Sequence, residues 1–303
     1  MLEEKHNIKA WLYLAPAMIL LAVFTFYPIF NAFFLVFLKD FNFLAGTFEG
    51  FTLTENFVYI LNKPDFKKAL LNTLMIVFVS VPVSVILALL ISAWLNSIKK
   101  LQGFFQTIFF LPYVTNAIAI GMAFAFLFHR NYGLINTMLN WIGIPSVNWV
   151  GLGAGYWSSM FALLVFIIWS GLAFKIMVFL SGLQSIDKQY YDAAKVDSTP
   201  RSRIFTKITV PLLSPMIAYI TITSIIGAFK EYTAVIGMFG VRLGPAGNDG
   251  ALVTIVALVY EAISRSGSTG AYSEAAAASI ILFAITLVFT LINMQISKKR
   301  VHF

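Results

Sequence analysis

The sequence contains no cysteine, only three histidines and few charged residues for its length. Without cysteine there can be no disulfide and no thiolate metal site. The histidines, His6, His129 and His302, lie far apart, and no Ser/His/Asp or zinc-ligand spacing occurs. Charged residues make up 11% of the chain, whereas soluble domains carry about 25%. We therefore expect neither a soluble domain nor catalytic or metal-binding residues.

What the chain has in abundance is hydrophobic sequence, which makes up 59% of its residues. A transmembrane helix needs about 20 apolar residues, so we expect an integral membrane protein with a single transmembrane domain over residues 1–303. Six segments are long enough to be spans: 10–38, 69–95, 104–128, 156–183, 210–229 and 271–296. The shorter apolar stretch 251–263 predicts a re-entrant or interfacial helix.

The net charge of +8 comes from basic residues that cluster near the ends of the predicted spans. This placement favours anionic lipid headgroups over nucleic acid as the partner. Cytoplasmic loops of membrane proteins are enriched in Lys and Arg, so the basic loop 184–207 and the C-terminal Lys298-Lys299-Arg300 predict that both termini are cytoplasmic. The basic residues of the loop are Lys188, Lys195, Arg201, Arg203 and Lys207.

One polar run, from Gln184 to Lys207, separates the fourth and fifth predicted spans. Asp187 can cap a first short helix with its carboxylate, and Ser198-Thr199-Pro200 interrupts the helical pattern. A serine or threonine can cap a second helix there, with Pro200 at its first position, where a missing N–H costs nothing. The run predicts a helix-break-helix unit that presents a cytoplasmic docking surface; an ordinary basic connector is the alternative.

Two motifs occur in and just after this run, Tyr191-Asp192-Ala193-Ala194 followed by Asp197, and Ile208-Thr209-Val210-Pro211-Leu212-Leu213. Together they resemble the EAA loop of bacterial ABC importer permeases. In that family the loop is the coupling helix that sits in a cleft of the ATPase subunit. Asp192 stands where the family usually has glutamate, and Ser198 where it usually has glycine. The resemblance implies ATPase-coupling roles for Tyr191, Asp192, Ala193, Ala194, Asp197 and Ser198.

Three smaller motifs elsewhere in the chain resemble those of the carbohydrate-uptake, maltose-type branch of the family, and they occur in the same order. These are Leu111-Pro112-Tyr113, Tyr132-Gly133-Leu134-Ile135-Asn136 and Gly244-Pro245-Ala246. The resemblance implies an all-α membrane protein, a six-span helical bundle of the type I ABC importer permease fold, multi-pass in the bacterial cytoplasmic membrane. Its implied function is to translocate a sugar or oligosaccharide.

The resemblance also implies the partners. They are a second homologous permease subunit that forms a heterodimer with this chain, an ATPase subunit dimer, and an extracytoplasmic solute-binding protein that delivers the substrate. The chain has no GxxxxGK[ST] phosphate loop. ATP and Mg²⁺ are therefore expected on the ATPase, and no cofactor is expected in this chain.

Ionisable residues inside spans are costly in lipid and by default mark a transport pathway. Lys175 lies within the fourth predicted span, and Lys230 and Glu231 close the fifth, followed by Tyr232. Lys230 and Glu231 either contact substrate hydroxyls in a central aqueous cavity or serve structurally, through snorkelling or an inter-subunit ion pair, and the sequence leaves both open. For Lys175 the sequence favours a structural role.

In maltose-type permeases, substrate contacts occur at positions that match Gly171, Phe174 and the Lys230–Glu231 region. Trp169 lies deep in the fourth predicted span, beside Ser170, and aromatic faces stack on sugar rings, so it is a further cavity candidate. The predicted substrate-binding residues are Trp169, Gly171, Phe174, Lys230, Glu231 and Tyr232.

Other classes of function fit the sequence less well. Lys175 and Lys230 admit another solute, such as glycerol phosphate or an acidic saccharide. A stand-alone secondary transporter would need ion-coupling acids at the midplane and repeated halves with broken helices, and the sequence offers one glutamate near a span end and no repeat. A membrane-embedded enzyme would need a catalytic cluster. We therefore expect a transport subunit and not an enzyme.

Overall fold

The computed structural model describes residues 7–98, 100–265 and 267–300, and most of its regular structure is helical. In chain order the helices are α1 (Asn7–Leu21), α2 (Tyr27–Leu35), α3 (Glu55–Asn62), α4 (Pro64–Ser97), α5 (Gln102–Val114), α6 (Ala117–Leu127), α7 (Leu134–Trp141), α8 (Tyr156–Ser185), α9 (Lys188–Val196), α10 (Arg201–Ile204), α11 (Val210–Leu212), α12 (Ser214–Phe229), α13 (Thr233–Phe239), α14 (Ile255–Ser264) and α15 (Ala271–Arg300). Residues Ala22–Phe26 and Phe205–Thr209 are π-helical, and Gly240–Arg242 form a 3₁₀ turn. Strands β1 (Leu38–Lys39) and β2 (Gly50–Phe51) pair antiparallel. His6 and His302, and the side chains of Lys299 and Arg300, lie outside the described residues.

Four helical stretches of the described chain are long and apolar enough to cross a membrane, and six are if each bent pair counts as one span. The four are Lys9–Leu35, Pro64–Ser97, Tyr156–Ser185 and Ala271–Lys298. The bent pairs are Gln102–Val114 with Ala117–Leu127, and Arg201–Leu212 with Ser214–Phe229. These elements overlie the segments expected from the sequence. Helix α14 lies in the predicted short apolar stretch, whereas α13 was not expected.

Both bends lie where the helical hydrogen-bond pattern is interrupted. Helices α5 and α6 meet at 102°, and the Asn116 side chain caps α6 by accepting from the N–H groups of Ile118 and Ala119. The second bend measures 68°, and Pro215 lies in the first turn of α12, where it needs no N–H partner. The segment expected as the third span is therefore two helices, because a side-chain cap starts a new helix within it.

The described chain divides into two compact units. The first comprises the described residues of Met1–Phe66 and of Leu258–Ile281. Within it, Glu274 Oε2 accepts from Lys63 Nζ at 2.9 Å and from Arg265 Nη2 at 3.2 Å. The neighbouring Ser273 hydroxyl donates to the carbonyl of Leu38 at 2.7 Å. The start of α15 is thus tied to the residues that follow α3 and to β1.

The second unit comprises Lys67–Ala257 and the described residues of Leu282–Phe303. Its non-helical stretch before α14 is held by buried Asn72 of α4. The Asn72 amide donates to the carbonyls of Ala251 at 3.0 Å and Val253 at 2.8 Å, and its oxygen accepts from the Tyr156 hydroxyl at 2.8 Å. A bilayer core offers no water, so this side chain satisfies carbonyls that a helix would otherwise pair.

Helices α6 and α13 cross at two glycines of the second unit. A Cβ added to Gly121 would lie 2.7 Å from the Cα of Gly237, and one added to Gly237 would lie 3.1 Å from the Cα of Gly121. Small residues at such crossings let helix backbones approach closely, which is how helices associate where water provides no driving force. The paired glycines therefore hold α13 against the second half of the broken span.

Helix α9 ends in a Schellman motif. The N–H of Thr199 donates to the carbonyl of Ala194, and the N–H of Ser198 donates to the carbonyl of Lys195, both at 3.0 Å. This geometry places Ser198 at φ +52°, in the left-handed region that glycine usually fills. The prediction that a Ser or Thr side chain caps the second helix is wrong, since Ser198 closes α9 and Pro200 is the uncapped residue before α10.

Replacing Gly121 with alanine should destabilise the protein. The added Cβ meets backbone atoms of Gly237, which cannot rotate away, and overpacking of this kind costs about 1–3 kcal/mol. We expect a lower midpoint of thermal unfolding in detergent. Gly103→Ala is the matched control, because a Cβ there meets nothing within 4 Å. Equal midpoints for the two variants would contradict the close crossing.

Replacing Ser198 with glycine should stabilise the turn after α9. A left-handed conformation costs a non-glycine residue roughly 1–2 kcal/mol, partly offset by the larger entropy that glycine loses on folding. The thermal midpoint in detergent should rise, whereas Ser202→Gly, inside α10, should lower it. A lower midpoint for Ser198→Gly than for the parent protein would show that the serine side chain stabilises the turn.

Candidate functional site

The second unit contains an open cavity of about 490 Å³ between α4, α5, α6, α8 and α12. This volume lies in the range of small-molecule sites, about 300–1,000 Å³. The hydroxyl side chains in its wall are Ser80, Ser84, Thr115, Ser170, Thr223 and Ser224. Two aromatic rings, one lysine and one glutamate complete the functional groups of the wall. The cavity is thus amphipathic, with polar groups set among apolar ones.

The wall hydroxyls act mainly as hydrogen-bond acceptors. Ser84, Thr115, Ser170 and Thr223 each donate to a carbonyl of their own helix three or four residues earlier, at 3.1, 3.1, 3.2 and 2.9 Å. Each hydroxyl has one hydrogen to donate, so its oxygen lone pairs are left for a ligand. A ligand that brings its own O–H donors suits this wall.

An aromatic pair forms another part of the wall. The rings of Tyr113 and Phe174 stack with centroids 5.8 Å apart and an interplanar angle of 22°. Tyr113 comes from α5, just before the bend, and Phe174 from α8. The two rings offer a flat apolar surface beside the hydroxyl groups.

The charged groups of the wall are Lys175 and Glu231. Lys175 Nζ donates to the carbonyl of Gly171 at 3.0 Å. A Cβ on Gly171 would lie 2.8 Å from that nitrogen, so the ammonium rests where glycine leaves space. Glu231 Oε1 accepts from the N–H of Ala234 at 2.8 Å, and its backbone carbonyl accepts from the Thr254 hydroxyl at 2.8 Å.

The cavity brings together three of the predicted substrate-binding residues, Gly171, Phe174 and Glu231. The other three are not among its lining residues. The Trp169 ring lies 4.9 Å from the Phe124 ring, Lys230 is exposed at the C-terminal end of α12, and Tyr232 immediately precedes α13. Lys175, for which the sequence favoured a structural role, does line the cavity.

Sequence reasoning missed the hydroxyl residues of the wall and Tyr113. A signal for the hydroxyls existed, since serines and threonines recur inside segments that are otherwise apolar. They were not recognisable as one group, because they come from separate spans whose facing sides the sequence does not reveal. Tyr113 belongs to the Leu111-Pro112-Tyr113 motif, so the motif supplies an aromatic face to the cavity.

A second candidate site is the polar helix α9. The Asp187 side chain accepts from the N–H of Gln189 at 2.9 Å, so the predicted cap is present. Ala193 is exposed and lines a hollow of about 490 Å³ with buried Ala194 and with Asp197. The other lining residues of this hollow are Asp187, Gln189, Tyr190, Thr199 and Ile208.

The remaining predicted coupling residues point elsewhere. Asp192 pairs with Lys195 at 2.7 Å on the exposed surface, and this hydrogen bond and charge hold the pKa of the Asp192 carboxyl below its usual value. The Tyr191 hydroxyl lies 3.3 Å from Thr209 Oγ1, which ties α9 to the helix that follows. Ser198 forms the turn. No cluster of His, Cys, Asp or Glu suited to a metal ion occurs among the residues that the structure describes.

Known proteins similar to this chain are membrane components of transport systems. The family described as binding-protein-dependent transport system inner membrane component matches residues 91–302. The lactose transport system permease protein LacF of Rhizobium radiobacter is 31% identical over 289 residues, covering 95% of this chain and 94% of that protein. The arabinooligosaccharides transport system permease protein AraP of Halalkalibacterium halodurans is 30% identical over 296 residues, covering 97% and 89%.

A crystal structure of a bacterial alginate ABC transporter, in complex with an alginate pentasaccharide-bound periplasmic protein, contains a chain of the same fold. The TM-score is 0.78 at 21% identity, and the match covers 97% of this chain and 96% of that one. The expected all-α fold of an importer permease is therefore confirmed. Relatives matched along almost the whole length are transport permeases. This multi-pass membrane protein belongs to the family of binding-protein-dependent transport system inner membrane components.

Proposed function

We propose that this protein is the permease subunit of an ABC importer that carries a sugar or oligosaccharide across the bacterial cytoplasmic membrane. The observation that carries the proposal is the cavity, where hydroxyl oxygens, the Glu231 carboxylate and the Tyr113–Phe174 pair converge. Sugar hydroxyls donate to such oxygens, and the apolar faces of sugar rings lie on aromatic rings. Lactose and arabinooligosaccharides, the solutes named for two relatives, belong to this chemical class.

Within this function, Phe174 and Glu231 contact the sugar directly, one through its ring and the other through its carboxylate. Gly171 acts through Lys175, since the space left by its missing side chain holds the Lys175 ammonium in the cavity wall. Trp169, through its contact with Phe124, supports the wall next to α6. Lys230 and Tyr232, which flank Glu231 in sequence, set the position of the segment between α12 and α13.

Helix α9 couples this chain to a separate ATPase dimer, which binds ATP and Mg²⁺. Only two residues separate the helix from the end of α8, and its ends are closed by the Asp187 cap and the Schellman turn. A short helix with both ends closed transmits a displacement that an unstructured loop would absorb. The exposed hollow beside Ala193 and Asp197 is the docking surface for the ATPase.

The complete importer needs two further partners. The most apolar window of Lys9–Leu35 has 0% of its residues buried in this chain, and a second homologous permease covers part of that surface, with lipid around the rest. An extracytoplasmic solute-binding protein delivers the sugar, in keeping with the family description and with the periplasmic protein in the related complex. Both termini and α9 are cytoplasmic, as the clustered basic residues favour.

Ala193→Asp should uncouple the importer without removing it from the membrane. The substitution places a charge on the docking surface, so we expect solute-stimulated ATP hydrolysis by the complete importer in proteoliposomes to fall about tenfold, equivalent to about 1.4 kcal/mol. Ala193→Ser is the matched control and should keep the stimulation, because the side chain stays small and neutral. Full stimulation in Ala193→Asp would refute the coupling role.

Phe174→Ala should weaken sugar binding in the cavity. Loss of the ring removes half of the stacked pair, and we expect the apparent KM for sugar uptake to rise about tenfold. Phe161→Ala is the control on the same helix, since its exposed ring contacts Trp149 and lies outside the cavity. If both variants raise KM equally, or neither does, the cavity is not where the sugar binds.

A further inference from the structure

We propose that Lys175 selects a saccharide that carries a carboxylate group, so that the solute of this importer is an acidic sugar or oligosaccharide. The inference rests on the proposed function, which it narrows to one substrate class. Its basis is the placement of a single ammonium group in a cavity wall whose other polar side chains are hydroxyls and one carboxylate.

Among the residues that the structure describes, the Lys175 ammonium has no anionic partner. Its hydrogen bond goes to the neutral carbonyl of Gly171 at 3.0 Å, one turn earlier in the same helix. None of the ion pairs between described residues, within 4.0 Å, includes Lys175. An ammonium carries three donors, so two remain for a ligand. Because a lone charge within a span is costly, its presence in a cavity points to a function.

The other charged group of the wall does not neutralise Lys175. Glu231 forms no ion pair with it, and its Oε1 accepts instead from the N–H of Ala234 at 2.8 Å. The carboxylate is thus engaged at the start of α13, on the far side of the break after α12. The two charges line one cavity without meeting, which leaves the ammonium available to an incoming anion.

The remaining polar side chains of the wall offer an acidic substituent no positive charge. Ser84, Thr115, Ser170 and Thr223 have given their hydrogens to backbone carbonyls, so they present lone pairs to the cavity. Such oxygens accept from sugar hydroxyls but repel a carboxylate, which is an acceptor only. The hydroxyls of Ser80, Ser224 and Tyr113 can donate a hydrogen bond but carry no positive charge, so Lys175 is the one cation among the lining residues. A sugar that bears both hydroxyls and a carboxylate matches both kinds of group.

Structure also argues against a purely packing role for this lysine. The ammonium lies over Gly171, in space that any side chain there would fill, since a Cβ would come within 2.8 Å of Nζ. A methionine has similar length and would fill the same space without the cost of a charge. A ligand that needs a positive charge explains why a lysine, and not a methionine, occupies the space beside Gly171 in the cavity wall.

The test compares labelled disaccharides in pairs, in which the acidic member carries a carboxylate on each ring where the neutral member carries a hydroxymethyl group. The pairs are digalacturonate with galactobiose, diglucuronate with cellobiose, and dimannuronate with mannobiose. Import is measured in proteoliposomes that contain the complete importer and its solute-binding protein. We expect the wild-type importer to favour the acidic member of a pair. Lys175→Met should lower the ratio of acidic to neutral import about tenfold, and Lys175→Arg should keep it within about threefold.

Lys67→Met, at the start of α4 and outside the cavity, is the matched control and should leave the ratio unchanged. Wild-type import of neutral members alone, or an unchanged ratio in Lys175→Met, overturns the acidic-substrate inference and leaves the proposed function standing. If the lysine variants fail to assemble, the wild-type ratio of acidic to neutral import still tests the inference, because a preference for the neutral member overturns it. Import of no saccharide, acidic or neutral, contradicts the proposed function.

Discussion

The absence of water in the bilayer core is the constraint on which this structure depends. Every backbone N–H and C=O at membrane depth needs a partner within the protein, so each interruption of a helix requires a side chain to replace the lost bonds. Asn116 does this at the start of α6, and buried Asn72 does it for the stretch before α14. These amides let the chain break its helices without leaving unpaired groups in lipid.

The breaks are also what make a polar cavity possible. Thr115 lies at the bend between α5 and α6, and Glu231 lies just beyond the end of α12. In an unbroken helix the polar backbone groups bond to one another along the helix axis. A break in the helix lets side chains near the break, such as those of Thr115 and Glu231, converge with side chains of α8. Close packing of Gly121 on Gly237 then holds the second half of the broken span in place. The broken helices and the cavity are therefore one feature of the fold.

Helix α8 joins the cavity to the proposed docking surface beside α9. Phe174 and Lys175 lie about 15–17 Å from its C-terminal end at 1.5 Å per residue, and α9 follows almost at once. A displacement of α9 therefore reaches the cavity wall through one continuous helix. The contact between Tyr191 and Thr209 ties α9 to the helix that leads into α12, so both charged residues of the cavity are mechanically connected to the same short helix.

Much of this could be read from the sequence. Low charge and long apolar segments determined the membrane class and the approximate spans, while the Asp187 cap and the motif around Asp192 determined the polar helix and the family. Only the tertiary structure decided that Lys175 lines the cavity and that Lys230 does not. The physical reason is that a span is apolar on every side, facing lipid or other helices, and so carries no amphipathic stripe from which its cavity face can be recognised.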